Sequence, residues 1–204
     1  RNVFRAYDIR GIIGGQLDED AFYSIGKAIS VRLHALSRKS IFLARDGRLT
    51  SPALSMALAQ GLLESGINVL DLGAVATPVM YYAAKIHTID SGLMVTGSHN
   101  PSDYNGIKMV LAGTTLANDD IETLFQINQQ ETFIVGQGEY QQYPVIADYI
   151  QRIVGDIKLQ KPLKVVVDCG NGIAGPVIPE VLRQLGCDVI PLFCEVDGRF
   201  PNHH

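Results

Sequence analysis

Short apolar runs of strand length alternate along this chain with longer stretches of helical periodicity, and that alternation restricts it to a layered arrangement. Ile41-Phe42-Leu43-Ala44, residues 67–72 and Leu93-Met94-Val95 read as buried strands. Thr50-Ser51-Pro52 opens an intervening helix with a hydroxyl N-cap and an early proline; Leu54, Leu58, Leu62 and Leu63 carry it to Gly66 as C-cap. Thr77-Pro78 opens the next helix in the same way, running to about His87. Upstream, residues 1–15 form a strand-like piece that breaks at glycines. Leu17-Asp18-Glu19-Asp20 then places acidic residues at a helix start, followed by Phe22, Ile25, Ala28, Ile29, Leu33 and Leu36 at helical spacing. The expected fold class is α/β, a layered α/β/α domain with a mostly parallel mixed sheet. Ligands gather at the carboxyl ends of strands in such sheets, so the loops at 45–48, 72–77 and 96–105 are expected to converge.

The second part of the chain restarts the pattern. A strand at 107–111 and Gly113-Thr114-Thr115 precede a weaker helix from Asn118 (Ile121, Leu124, Phe125, Ile127). Residues 129–143 are polar and without clear period, which places a domain edge at about 143: one domain over 1–143 and the start of a second, similar one over 144–204. The latter contains a helix at about 145–154, a strand at 163–168, a helix at 176–185 and a strand at 188–193. One crossover is too little for a complete domain.

Composition narrows the function classes. The 204 residues are 47% hydrophobic and 19% charged, a globular balance. With 17 Lys and Arg against 21 Asp and Glu, no basic surface is expected for nucleic acid or an anionic membrane, so any phosphate must be met by local groups. No window reaches the length of a membrane span. Cys169, Cys187 and Cys194 show no paired spacing and read as buried, reduced thiols, which makes the cytoplasm the expected compartment.

The candidate chemistry centres on residues 92–111. The strand ending at Val95 stops at a small polar loop with Ser98 and His99 side by side, and a second apolar run begins at Ile107 with Lys108 near its start. A polar turn rich in Asn, Pro and Gly would look similar. A serine hydrolase is disfavoured because Asn100 and Pro101 stand where the elbow needs x-Gly. Gly170-Asn171-Gly172-Ile173-Ala174-Gly175 satisfies G-x-G-x-x-G between a strand and a helix, with Glu195 twenty residues beyond Gly175. This permits a dinucleotide-binding or non-catalytic α/β domain; a glycine turn for close strand–helix packing explains it equally. No metal-ligand spacing stands out, and His203-His204 are either a tag remnant or native. Phosphoryl transfer fits best. Gly97 frees the backbone to approach an anion, His99 and Lys108 can neutralise phosphate oxygens, and Arg10 offers a bidentate fork or pairs with Asp8.

Thr96-Gly-Ser-His-Asn-Pro101, with Tyr104-Asn-Gly-Ile-Lys108 behind it, resembles the active-serine loop of the α-D-phosphohexomutases. Phe4-Arg-Ala-Tyr-Asp-Ile-Arg-Gly11, Arg45-Asp-Gly-Arg48, Asp168-Cys-Gly-Asn-Gly172 and Asp197-Gly-Arg-Phe-Pro-Asn-His203 resemble further stretches of that family in the same order. Tyr-Asp-Ile-Arg-Gly and Thr-Gly-Ser-His-Asn-Pro are similar to the phosphomannomutase/phosphoglucomutase branch. The resemblance implies that Ser98 is phosphorylated and, through its phosphate, coordinates Mg²⁺. It implies exchange of the phosphoryl group with a hexose 1- or 6-phosphate (mannose or glucose) through a hexose 1,6-bisphosphate. His99 and Lys108 would be acid–base and charge-stabilising groups. Tyr7, Arg10 and Asn100 would bind substrate or phosphate. Arg45 and Arg48 would have a supporting role or a structural pairing with Asp46. It further implies that the metal loop, sugar-recognition loop and distal phosphate site belong to a C-terminal remainder of the same enzyme, without which this part is inactive.

Overall fold

The structure, a computed structural model, describes residues 2–202. His203 and His204, including the end of the 197–203 motif, lie outside the described residues. Strands β1 (Ile9–Ile12), β2 (Ser40–Arg45), β3 (Asn68–Ala74), β4 (Gly92–Val95), β5 (Tyr104–Leu111), β6 (Thr114–Thr115) and β7 (Tyr140–Gln142) form one mixed sheet. Its order is β1-β5-β4-β2-β3-β7, with β6 on β5. β2 pairs in parallel with β3 and β4, and β3 with β7. β5 is antiparallel to β1, β4 and β6, so it runs against the direction its sheet partners share.

Side-chain alternation explains why the strands read as continuous apolar runs. Along β2, Ile41 and Leu43 enter the core beneath helices α1 (Glu19–Ala35), α2 (Ser51–Leu63) and α4 (Asp119–Gln130). Phe42 and Ala44 enter a second core under α3 (Thr77–Ile86) and α5 (Ile146–Asp156). Both faces are covered, so both must be apolar. The expected α/β layering and mixed sheet are present. α1 and α2 cross at glycines: a Cβ on Gly26 would lie 2.5 Å from the Leu58 carbonyl oxygen, and one on Gly61 would lie 2.2 Å from that of Tyr23.

Local signals fare unevenly. Asp18 caps α1, its Oδ1 accepting the Ala21 N–H at 2.8 Å. Thr50 precedes α2, yet its side chain does not cap; instead its hydroxyl accepts from Asn105 Nδ2 at 3.0 Å. Thr77 sits inside α3, whose N-cap is Ala76. α2 ends at Leu63, before Gly66, and Gly66 instead takes a left-handed φ of 79° against Gly136. Within the polar stretch 129–143, residues 140–142 form β7. Their side chains are exposed at the sheet edge, so no apolar pattern announces the strand.

β8 (Lys164–Asp168) and β9 (Asp188–Leu192) form a separate two-stranded parallel sheet, with α6 (Ile178–Gln184) between them in sequence. Beyond β9 the chain returns onto the loop after β2. A Cβ on Gly47 would lie 2.4 Å from Val196 Cγ1, and one on Gly198 would lie 2.5 Å from the Gly47 carbonyl oxygen.

Candidate active site

β2 and β4 are neighbours in the sheet, but the chain leaves β2 towards β3 on one side and β4 towards β5 on the other. Loops that part in this way leave a crevice at the carboxyl ends of the strands, where ligands of open α/β sheets bind. Asp46 and Arg48 follow β2, and residues 96–103 follow β4.

Asp46 is the electrostatic centre of the crevice. Its Oδ2 accepts from Thr96 Oγ1 at 2.7 Å, the Gly97 N–H at 3.3 Å and Arg48 Nε at 3.1 Å. Its Oδ1 accepts from Ser51 Oγ at 2.6 Å and the Arg48 N–H at 3.1 Å. Arg48, with a side chain only 2% exposed, spends its remaining donors on carbonyls of the serine loop. Nη1 donates to Pro101 and Tyr104, and Nη2 donates to Ser98 at 3.0 Å and Asn100 at 2.7 Å. All five guanidinium N–H groups are thereby used. The sequence left Arg48 between a supporting role and an ion pair with Asp46; the pair exists, and the guanidinium is also the internal mould of the loop.

Gly97 is explained by the same contact. A Cβ there would lie 2.4 Å from Arg48 Cζ and 2.6 Å from the Tyr104 carbonyl oxygen. The missing side chain makes room for the guanidinium rather than for an external anion. Ser98 follows at φ 56°, a left-handed conformation that costs a residue with a Cβ about 1 kcal/mol or more. Its N–H is held by Thr96 Oγ1 at 2.9 Å. Its hydroxyl faces outward, 3.3 Å from Nδ1 of the exposed His99. Asn100 turns inward, its Nδ2 donating to the Gly97 carbonyl at 2.7 Å. A cleft of about 360 Å³ is lined by Arg48, residues 98–102, Arg199 and Phe200. The Phe200 ring centroid lies 5.4 Å from Arg48 Cζ. Arg199 holds Asp197 at 2.6 Å, and that hydrogen-bonded pairing keeps the Asp197 carboxyl down at about 2.

The other proposed site residues fall into a second group. Asp8, 3% exposed, holds both Arg10, through a short ion pair, and Lys108, whose Nζ lies 3.8 Å from Oδ2. The register Ile9↔Ile107 between β1 and β5 brings these residues together. Tyr81 of α3 belongs to the same neighbourhood: burial, and then the negative charge of Asp8, push its hydroxyl above its ordinary value. Tyr7, 65% exposed, precedes β1. Among the described residues, no hydrogen bond or ion pair joins this group to Ser98. Arg45 lines a separate cleft with Asp71 and Tyr140, and the 72–77 loop does not reach the serine cleft. The site residues that sequence reasoning missed are Thr96, Arg199 and Phe200; Thr96 meets Asp46 across 50 residues, and the ring of Phe200 meets Arg48 from the far end of the chain.

The Gly170–Gly175 motif forms a turn in which a Cβ on Gly175 would lie 1.9 Å from the Cys194 carbonyl oxygen. This is the close packing that accounts for the glycine without a nucleotide.

A serine-bearing loop at the switch point of a mixed α/β sheet stands where the ligands of such sheets bind. Family models sharpen this. Phosphoglucomutase/phosphomannomutase α/β/α domain I matches residues 1–134, and domain II of the same family matches 147–204. The chain belongs to the phosphoglucomutase/phosphomannomutase family. It is 51% identical over 203 residues to a phosphomannomutase/phosphoglucomutase of Pseudomonas putida, covering 100% of this chain and 44% of the relative. It is 46% identical over 206 residues to a phosphoglucomutase of Neisseria meningitidis serogroup A, covering 45% of that relative. A solved phosphoglucomutase/phosphomannomutase family protein from Burkholderia thailandensis superposes with a TM-score of 0.96 at 48% identity, over 99% of this chain and 46% of that one. The chain thus spans less than half the length of these relatives. Among the described residues, no helix is long and apolar enough to cross a membrane.

Proposed function

We propose that this chain carries the phosphoserine part of a phosphohexomutase that interconverts hexose 1-phosphate and hexose 6-phosphate, of mannose, glucose or both. The observation that carries the reading is Ser98 itself: a strained, outward-facing hydroxyl on a loop held rigid from beneath by Arg48 and Asp46. In the forward step the bond from phosphorus to Ser98 Oγ breaks as a sugar hydroxyl oxygen bonds to phosphorus, giving a hexose 1,6-bisphosphate. In the return step Ser98 Oγ takes the other phosphoryl group. His99, 3.3 Å from Oγ, is placed to hold or return the proton at that oxygen. Lys108 and Arg10, kept in place by Asp8, supply positive charge for the travelling phosphate, with Tyr7 on the exposed approach. Asn100 acts by shaping the loop and can present its remaining amide oxygen to substrate.

The donor set fits magnesium poorly. Among the described residues no group of three or more His, Cys, Asp and Glu could hold a metal ion, and Asp46 is already taken by five donors. Of this chain's groups, Ser98 is the remaining oxygen ligand in the reading. The other ligands for Mg²⁺, and the groups that choose the sugar, fall to a C-terminal remainder of a cytoplasmic enzyme, without which we infer no turnover. We further infer two units divided at about residue 143, supported by the separate sheets before and after it.

Intact-mass analysis of the full-length enzyme tests the reading. The expected result is a phosphate on Ser98 that disappears, together with mutase activity, in Ser98→Ala. Normal mutase activity in that variant would overturn it.

A further inference from the structure

Three cysteines with no paired spacing in sequence read as isolated buried thiols, and the structure corrects this for two of them. Cys187 is buried, but Cys169 and Cys194 are half-buried and touch, with their sulfurs 3.4 Å apart. The topology creates the contact. β8 and β9 are parallel with Asp168 opposite Leu192, and the Cys169 N–H continues the ladder to the Leu192 carbonyl at 3.0 Å. The register thus puts Cys169 beside Phe193, and Cys194, one residue further on, places its sulfur against that of Cys169. The backbone is fixed on both sides: Asn171 N–H donates to the Phe193 carbonyl at 2.8 Å, and Gly175 sits against the Cys194 carbonyl with no room for a Cβ. A disulfide needs the sulfurs at about 2.05 Å, which side-chain rotation supplies from van der Waals contact. Cys194 also lines a cleft of about 580 Å³ with Asn171, Arg183 and Glu195, so a small oxidant can reach it.

We propose that Cys169 and Cys194 form an oxidisable dithiol, a modification site that a hydroperoxide converts to an intramolecular disulfide. Cys194, as thiolate, attacks the terminal peroxide oxygen; the O–O bond breaks, and water (or an alcohol) leaves, giving a sulfenic acid on Cys194. The Cys169 sulfur then displaces that oxygen as water, which carries away the Cys169 proton. Two thiols are oxidised and one peroxide is reduced. The order follows from access: Cys194 lines the open cleft and meets the oxidant first, and Cys169, whose thiol burial and then the hydrogen bond with Cys194 push up to about 11, enters as the resolving group. The bond ties the 170–175 turn to the stretch that continues to Gly198 and Phe200 against the serine loop. The site stands on the thiol geometry and does not depend on the phosphohexomutase reading.

The test treats the reduced, folded full-length protein with hydrogen peroxide, blocks free thiols with iodoacetamide and maps the peptides by mass spectrometry. The expected result is a joined pair of peptides carrying Cys169 and Cys194, with at least about a tenfold loss of alkylation at both, restored by dithiothreitol. Cys169→Ser should leave Cys194 as a sulfenic acid that dimedone traps. Full alkylation of both cysteines after peroxide, or a linkage that forms only in denaturant, would overturn the proposal. The wild-type map decides the matter even if a variant fails to fold.

Discussion

Arg48 donates from Nη2 to the backbone carbonyl of Ser98 at 3.0 Å, across 50 residues of sequence. This bond, repeated to the carbonyls of Asn100, Pro101 and Tyr104, makes the loop after β4 depend on a side chain from the loop after β2. Replacing Arg48 with Met should leave those carbonyls and the Asp46 carboxylate short of donors in a nearly solvent-free setting. The expected loss is about 3 kcal/mol of stability, read from the urea midpoint. Arg48→Lys should recover little of it, because one ammonium cannot serve five acceptors.

Gly97→Ala tests the same fit from the other side. The new methyl would fall 2.4 Å from Arg48 Cζ, so the guanidinium or the loop must move. In the full-length enzyme, mutase kcat should drop by about 10²-fold, since an ångström of misplacement at a reacting group costs that much. An unchanged kcat would mean that loop geometry does not set the position of Ser98.

Ser98→Gly separates strain from chemistry. At φ 56° a glycine relieves the left-handed cost, so the variant should be equal to or up to about 1 kcal/mol more stable than the parent. It should carry no phosphate and show no mutase activity. A thermal melt and an intact mass check both halves.

Gly61→Ala probes the frame instead of the site. Its Cβ would lie 2.2 Å from the Tyr23 carbonyl oxygen, forcing α1 and α2 apart. A loss of about 2–3 kcal/mol is expected in chemical denaturation. The phosphate proposed for Ser98, which is far from this crossing in the chain, should persist in the molecules that fold.

Tyr140 on β7 gives a pH dependence. The side chain is 40% exposed, and partial burial of its hydroxyl, followed by the hydrogen bond to Asp71, pushes that group up to about 12. A hydroxyl raised in the folded state contributes stability in full below its ordinary value near 10, and loses it as pH rises through 12. Stability should therefore fall between pH 10 and 12, and Tyr140→Phe should flatten that part of the curve when urea midpoints are compared.

The buried strands and the helices between them, the mixed layered sheet and the serine loop were legible in the chain, because each rests on local chemistry. Two-sided burial makes strands uniformly apolar, as in residues 41–44, and an Asx cap such as Asp18 lies three residues from its partner. Signals whose partner is distant misled or were silent. Thr50 resembles an N-cap, yet its hydroxyl is claimed by Asn105. β7 is polar because it lies at the exposed edge of the sheet, and only hydrogen bonding to β3 makes it a strand.

Residue types and their local spacing established which groups are available for chemistry: a serine, a histidine and cations around small, flexible residues. Tertiary structure decided which of them meet. Arg48 became the loop's internal support, Arg10 and Lys108 shared Asp8, Arg199 and Phe200 joined the cleft, and Cys169 met Cys194. The reason is physical: spacing along a chain fixes periodicity over a few residues, whereas contacts 25 to 100 residues apart are set only when the sheet orders its strands and buried donors find their acceptors.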